Sequence, residues 1–316
     1  MNAPVRSLRT TRGTLALGGR PWLMGIVNAT PDSFSDAGVD TTPEQRVELA
    51  RSLAQAGADI IDIGGESGVT NRPPVEPAEE IERVVPVIER VVDEVGALVS
   101  VDTYKPEVAS AAIAAGAAIV NDVSGLGDPA LAEICADTGA GLVIMHTRSV
   151  PKQKLLDPDF DGRMAVEVER FLADRIELAQ SHGMVSEQLM LDPGPDFGKT
   201  PAQTVEVLRD LERLHELGRP LLLAVSRKDF VGAITARPPR SRLAGTLAAV
   251  AHGVEAGAHM LRIHDVAEVA DFLAVRAGLR GEAEVDRELQ LPDHLRREQS
   301  PGPTTDAPSE GERKSA

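Results

Sequence analysis

Three polar residues, Asp102, Asn121 and Asp192, each close a short apolar run in a different part of the chain. They supply carboxylate and amide groups, and none stands beside a nucleophile with its own base. Such a set suits the donor and acceptor edge of a flat, nitrogen-rich ring, because a buried polar group left unpaired costs about 1–3 kcal/mol. A second set is Asn28, Arg262 and His264. Arg262 and His264 are two apart, so an extended strand turns both to one side. Arginine matches phosphate oxygens with a two-pronged fork, and an asparagine oxygen can ligate a hard cation such as Mg2+. An anion site with a metal is the expectation. A third group, Ser226-Arg227-Lys228-Asp229-Phe230, reads as the opening of a helix, where backbone N–H groups attract anions and Lys228 can reach inward towards the ring.

These residues act together only if the fold brings them together. Eight short runs rich in apolar and β-branched residues, Trp22–Asn28, Asp59–Ile63, Leu98–Asp102, Ala118–Asn121, Gly141–His146, Gln188–Asp192, Pro220–Ser226 and His259–His264, alternate with amphipathic stretches. Consecutive apolar positions, as in Leu221-Leu222-Leu223-Ala224-Val225, fit strands covered on both faces. Helical spacing predicts helices near 44–56, 79–94, 106–115, 129–138, 162–182, 201–217, 241–256 and 266–278. Pro43, Pro77, Pro106, Pro129 and Pro201 mark their starts, and Gly57, Gly116, Gly139, Gly183, Gly218 and Gly257 their ends. Alternating strand and helix units imply a parallel sheet, and eight of them favour closure into a single (β/α)8 TIM barrel over an open doubly wound sheet.

In such a barrel the strand ends share one rim. That gathers Asn28, Asp62, Glu66, Asp102, Asn121, Asp122, His146, Asp192, Lys199, Ser226, Arg227, Lys228, Arg262, His264 and Asp265. Each also has a plain structural alternative. Asp62 can cap a backbone group, Asp122 and Asp265 can cap the helices that follow them, and either histidine can be a hydrogen-bonded core residue.

The barrel is expected over 22–280. Residues 1–21 form an N-terminal extension with a possible hairpin around Gly18-Gly19 that closes the barrel bottom. Residues 281–316 form a polar tail, expected to be disordered from about 300. A hydrophobic content of 42% is ample for one core, and an aromatic share of 3% leaves packing to small aliphatic residues. The net charge of −16 argues against a general grip on nucleic acid. Cys135 is the only cysteine, so an intrachain disulfide and a thiolate cluster are excluded, and its helical setting reads as a structural thiol. Arg6, Arg9 and Arg12 precede no apolar stretch of signal length, and no segment approaches a membrane span. A cytoplasmic protein is expected.

Set in order, the segments resemble those of the dihydropteroate synthase family. They are Gly25-Ile26-Val27-Asn28-Ala29-Thr30-Pro31-Asp32-Ser33-Phe34-Ser35-Asp36, Asp62-Ile63-Gly64-Gly65-Glu66-Ser67, Ser100-Val101-Asp102-Thr103, Val120-Asn121-Asp122, Met145-His146, Leu191-Asp192-Pro193-Gly194, Phe197-Gly198-Lys199, Ser226-Arg227-Lys228 and Arg262-Ile263-His264-Asp265. The resemblance covers roughly residues 20–280. It implies condensation of 6-hydroxymethyl-dihydropterin pyrophosphate with para-aminobenzoate to give dihydropteroate and pyrophosphate, by a homodimer using Mg2+. It implies that Asp102, Asn121, Asp192 and Lys228 hold the pterin, and that Asn28, Arg262 and His264 hold pyrophosphate, with Asn28 on the metal. Asp36, Lys228, Arg262 and His264 would serve catalysis, with Asp36 approaching the pterin methylene. Phe34, Thr70, Arg72, Asp196, Phe197, Ser226 and Asp229 would line the acceptor pocket.

Three departures fall on the acceptor side. The usual Glu-Ser-Thr-Arg-Pro-Gly becomes Glu66-Ser67-Gly68-Val69-Thr70-Asn71-Arg72-Pro73-Pro74, the usual glycine before Phe197 is Asp196, and the position after Lys228 is Asp229 rather than serine. Asp196 and Asp229 also resemble second-copy actinobacterial homologues regarded as lacking the activity. Two like charges about 5 Å apart repel by roughly 3 kcal/mol at an effective dielectric near 20, enough to weaken an anionic acceptor a hundredfold. Two alternatives therefore stay open: a pterin-binding homologue without synthase activity or with another acceptor, and a pterin-binding methyltransferase, which leaves the Arg262/His264 pair unexplained.

Overall fold

The computed structural model describes residues 6–30, 42–68, 73–160 and 162–296. The chain begins with an antiparallel hairpin, β1 (Arg6–Thr10) and β2 (Gly13–Leu17), and continues through eight parallel strands: β3 (Trp22–Asn28), β4 (Ile60–Gly64), β5 (Leu98–Asp102), β6 (Ile119–Asp122), β7 (Gly141–Met145), β8 (Leu189–Asp192), β9 (Leu222–Leu223) and β10 (Met260–Ile263). Their order, β8-β7-β6-β5-β4-β3-β10-β9, is a barrel circuit. A parallel bridge from Leu191 to Leu221 closes it, with the Leu191 N–H donating to the Pro220 carbonyl at 3.0 Å. The expected closed form is the observed one.

The seventh strand is shorter than its expected span of 220–226. Pro220 has no N–H for the ladder. Beyond Leu223, the Ser226 hydroxyl takes the N–H of His264 at 3.1 Å, so a side chain replaces the ladder acceptor there.

The helices are α1 (Pro43–Gln55), α2 (Pro77–Arg90), α3 (Pro106–Ala114), α4 (Ala130–Thr138), α5 (Met164–Ser181), α6 (Pro201–Arg209), α7 (Asp229–Thr235), α8 (Leu243–Glu255) and α9 (Val266–Arg280). A π-helical turn, Val91–Val95, extends α2 to the left-handed Gly96, and a 3-10 run, Leu211–Leu217, follows α6. α1 and α6 each start with a capping box, Thr42 with Gln45 and Thr200 with Gln203, behind a first-turn proline. Such a cap is worth about 1 kcal/mol and ends the preceding loop at a defined residue.

Strand alternation divides the interior into layers. Met24, Ile60, Val143, Met190, Leu222 and Met260 fill the lower barrel and pack with Leu8 and Leu17 of the hairpin, which are buried with them. Two residues further along the strands, the same inner face carries Ile26, Asp62, Met145, Asp192, Ala224 and Arg262. The hairpin therefore seals an apolar floor beneath a polar mouth. Its turn lies between Thr10 and Gly13, where the Thr10 hydroxyl bonds the Gly13 carbonyl at 2.9 Å, and not at Gly18-Gly19 as expected. Gly18 follows the end of β2 with φ +128.

Cys135 is fully buried on α4, and burial pushes its thiol up to about 12. Residues up to Leu273 form one unit and those from Ala274 a second. In the second, Arg276 and Arg280 both hold Glu282, at 3.2 and 2.9 Å, and residues 281–296 are exposed. The expectation for residues from about 300 lies outside the described residues.

Candidate active site

Arg262, on β10, reaches across the barrel mouth. Its Nε donates to Asp62 of β4 at 2.6 Å and its terminal nitrogen to Asp102 of β5 at 2.7 Å. The Asn121 amide of β6 donates to the same Asp62 oxygen at 3.2 Å. Arg262 thus sits between two carboxylates. Its charge also acts on His264, two residues along the chain, and its strand pairs with β3, which ends at Asn28. Burial opposes the guanidinium charge, but the two carboxylates outweigh it and hold Arg262 firmly protonated. Burial raises the Asp102 carboxyl; Arg262 pulls it down, and Asp62 adds to the rise. Asp62 is fully buried, and its second oxygen has no hydrogen-bond partner among the described residues.

Asp192 ends β8 with one oxygen accepting the Gly194 N–H at 2.7 Å. Burial raises its carboxyl against the pull of Lys228, Lys199 and Arg262. Lys228 precedes α7, with its ammonium 4.4 Å above the centre of the Phe197 ring. Burial lowers it, and Asp196 and then Asp192 oppose that fall. Asn28 ends β3 beside Gly64.

His264 follows β10. The Ser226 hydroxyl accepts its backbone N–H and lies 3.0 Å from its Nδ1. The contact serves either tautomer, since the hydroxyl can donate to Nδ1 or accept from it. Burial first, then the cations Arg262 and Arg227, push the imidazole down to about 3. His264 is therefore a neutral N–H donor at physiological pH.

Several rim residues prove structural. His146 is fully buried, holds the Lys199 ammonium at 2.6 Å and meets Phe171 edge-on at 4.8 Å. Burial and Lys199 push it down to about 2. Lys199, lowered to about 7 by burial, also donates to the Gly194 and Phe197 carbonyls at 2.8 and 3.2 Å. Asp122 faces away from the mouth and accepts the Ser124 N–H at 2.7 Å and that of Leu126. Asp265 caps no helix through its side chain as expected; it grips Arg227 in a two-point pair. Nor does Asp62 cap a backbone group, since Arg262 and Asn121 hold it.

The two acids expected to burden the acceptor side are both engaged. Asp229 is 86% exposed and pairs with Arg242 at 2.9 Å, turned outward by its place in the first turn of α7. Asp196 accepts the N–H groups of Asp229 at 2.6 Å and Phe230 at 3.3 Å. Phe34, Asp36, Thr70 and Arg72 lie outside the described residues.

Sequence reasoning missed a second charged cluster. Glu66, after β4, accepts from Tyr104 at 3.0 Å, Lys105 at 2.7 Å and the Val75 N–H at 2.7 Å, with Lys152 at 3.3 Å. Lys105 also binds Glu80, and Lys152 the Ser67 carbonyl. Burial raises Glu66, but these partners outweigh it and leave the carboxyl below its usual range. Lys152 comes from the loop after β7, so no local spacing announces it.

A ring-edge set beside a donor set on one barrel rim defines a class of enzyme that binds a polar heterocycle with an anionic group. The family model described as pterin binding enzyme matches residues 24–264. Dihydropteroate synthases of Synechocystis and Escherichia coli K12 are 39% and 38% identical, over 83% and 81% of this chain and 91% and 90% of their own. The dihydropteroate synthase of Xanthomonas albilineans, solved with 4-aminobenzoic acid, is 44% identical, with TM-score 0.79 over 87% of this chain and 98% of its own. The same enzyme solved with 7,8-dihydropteroate gives TM-score 0.75 over 84% and 96%. The chain belongs to the dihydropteroate synthase family of pterin-binding enzymes, and is a transferase of that type.

Proposed function

We propose that the protein condenses 6-hydroxymethyl-dihydropterin pyrophosphate with para-aminobenzoate, forming dihydropteroate and releasing pyrophosphate in folate biosynthesis. The observation that carries this reading is the mouth cluster, in which Asp62, Asp102 and Asn121 converge through Arg262 with Asp192 and Lys228 nearby. Asp102, Asn121 and Asp192 take the nitrogen-rich edge of the pterin, and Lys228 donates to a ring acceptor. Asn28 and the neutral imidazole of His264 meet the pyrophosphate, and Arg262 adds its charge from between the carboxylates. Two carboxylates against one guanidinium leave the mouth short of positive charge, which favours the cation that develops on the pterin methylene as pyrophosphate leaves. The neutral aromatic amine then adds without a strong base. Asp36 belongs to this reading as the residue approaching the methylene.

Among the described residues no group of three His, Cys, Asp or Glu side chains is placed to hold a metal. A single protein oxygen suffices, because Mg2+ commonly takes one or two and completes its shell with water and substrate phosphates. Asn28 would supply the protein oxygen, and bound Mg2+ would neutralise charge on the leaving pyrophosphate.

The acceptor pocket in this reading is lined by Phe34, Thr70, Arg72, Phe197 and Ser226, with Asp196 and Asp229 at its edge. Asp229 faces solvent beside Arg242 and Asp196 is held by two amides, which weakens the charge argument against an anionic acceptor. No helix among the described residues is long and apolar enough to cross a membrane. A cytoplasmic homodimer completes the proposal, and the outward Ala248 and half-buried Leu243 of α8 support the dimer. Pyrophosphate release by purified protein should require both Mg2+ and para-aminobenzoate; no product at saturating substrates would overturn the proposal.

A further inference from the structure

Asp196 has a left-handed backbone, φ +68, where side chains with a Cβ are disfavoured by about 1–2 kcal/mol. Hydrogen bonds to its N–H and to both carboxylate oxygens hold that conformation. Its N–H donates to the Thr204 hydroxyl at 3.1 Å, and that hydroxyl lies 3.2 Å from its Oδ1. Its Oδ2 takes the N–H groups of Asp229 and Phe230. Thr204 is fully buried on α6, so Asp196 links α6 to the start of α7.

The base of this link is rigid. A Cβ on Gly194 would stand 1.9 Å from the His146 carbonyl oxygen, and one on Gly198 would stand 2.9 Å from the Arg148 side chain. The loop therefore lies flat on the end of β7, braced from below by Lys199. The other partner is less secure. α7 is only seven residues long and cannot be stable by itself. Consecutive residues meet consecutive residues: Asp196 holds the Asp229 and Phe230 amides, while Phe197 carries the Lys228 ammonium.

We propose that Asp196 is a positioning residue for the pterin half of the site, clamping the loop after β8 to the first turn of α7 and so fixing Lys228 beside Asp192. The inference rests on the reading of Lys228 as a pterin contact. Charge adds a second signature, because Asp196 is the strongest anionic partner of Lys228. Loss of that partner lets burial lower the ammonium further, so deprotonation begins at lower pH.

The test uses the full chain and the variants Asp196→Gly, Asp196→Asn and Lys228→Met. Glycine relieves the φ penalty while removing the clamp, so the protein should remain folded. Asp196→Gly is expected to raise the KM for pterin pyrophosphate about tenfold, against less than about threefold for para-aminobenzoate. The alkaline limb of kcat/KM should move down by about half a pH unit. Asp196→Asn keeps an oxygen for the two amides without the charge. It should bring the pterin KM within about threefold of the parent while retaining the shifted limb. A change confined to thermal stability, or to the para-aminobenzoate KM, would overturn the clamp. Lys228→Met separates the two ideas: unchanged pterin affinity measured by fluorescence would refute the pterin-contact reading whatever Asp196 does.

Discussion

The Arg262 cluster and the Glu66 cluster are both buried, both charged and both near the barrel mouth, yet one stands on strands and the other on loops. Asp62, Asp102, Asn121 and Arg262 project from four strands whose register fixes them relative to one another. Glu66, Lys105 and Lys152 come from the segments after β4, β5 and β7. Their charge balance differs too. One guanidinium faces two carboxylates in the first cluster, and a buried Asp62 oxygen is left without a partner among the described residues. In the second, Glu66 and Glu80 meet Lys105 and Lys152. In the proposed reading the strand-borne cluster receives a ligand rich in donors, whereas the loop-borne cluster satisfies itself and holds the chain after β4 in shape.

The sharpest way to break this comparison is Arg262→Met. It strands two carboxylates inside the barrel, so urea denaturation should show a loss of about 3–5 kcal/mol, and pterin binding should fall below detection. Retained pterin affinity would remove Arg262 from the site. Lys105→Met should cost about 3 kcal/mol by leaving the buried Glu80 without its cation and Glu66 with Lys152 alone, yet change kcat/KM for the pterin substrate less than about tenfold at a temperature where the variant is folded. If both quantities collapse together, the division between ligand-facing and loop-holding clusters is wrong.

A smaller effect tests the two buried histidines. His146 and His264 are depressed to about 2 and about 3, well below an unfolded histidine near 6.5. Between those values the unfolded chain binds protons that the folded chain does not, so stability falls as pH drops from about 6.5 towards 3 and is fully restored above. The double variant His146→Gln plus His264→Gln should flatten that slope in urea midpoints measured at pH 5 and 7. Burial also raises Asp102 to about 7, so a limb of kcat near pH 6.5 is ascribed to a charged His264 only if it disappears in His264→Gln; no such loss is expected. The least expected change is that of Asp229→Asn. An exposed partner of Arg242 contributes little, so the unfolding midpoint and the para-aminobenzoate KM should both stay within error. A marked improvement in that KM would show that Asp229 does repel the acceptor.

Much of the barrel was legible because it repeats. Strand alternation places Asp62, Asp102, Asn121, Asp192 and Arg262 on one inner face, and each could be counted along its own run. The partners they choose were not legible. Arg262 and His264 share a face, but Arg262 turns to Asp62 and Asp102 across the mouth, while His264 stops at Ser226. The hairpin turn was misplaced for a related reason. Gly18-Gly19 has the better turn composition, yet Leu8 and Leu17 must both reach the barrel floor, and that pairing sets the turn at Thr10–Gly13.

Composition and order along the chain were enough to determine the eight strand and helix units, the polar rim and the family. These follow from periodicity and from segments read one at a time. Tertiary structure alone decided which charges are spent on the protein and which remain for a ligand. Asp196 and Asp229 look alike in sequence, but one closes on the amides of α7 and the other faces solvent with Arg242. A carboxylate's effect depends on distance and burial, and both are set by contacts between segments far apart in the chain.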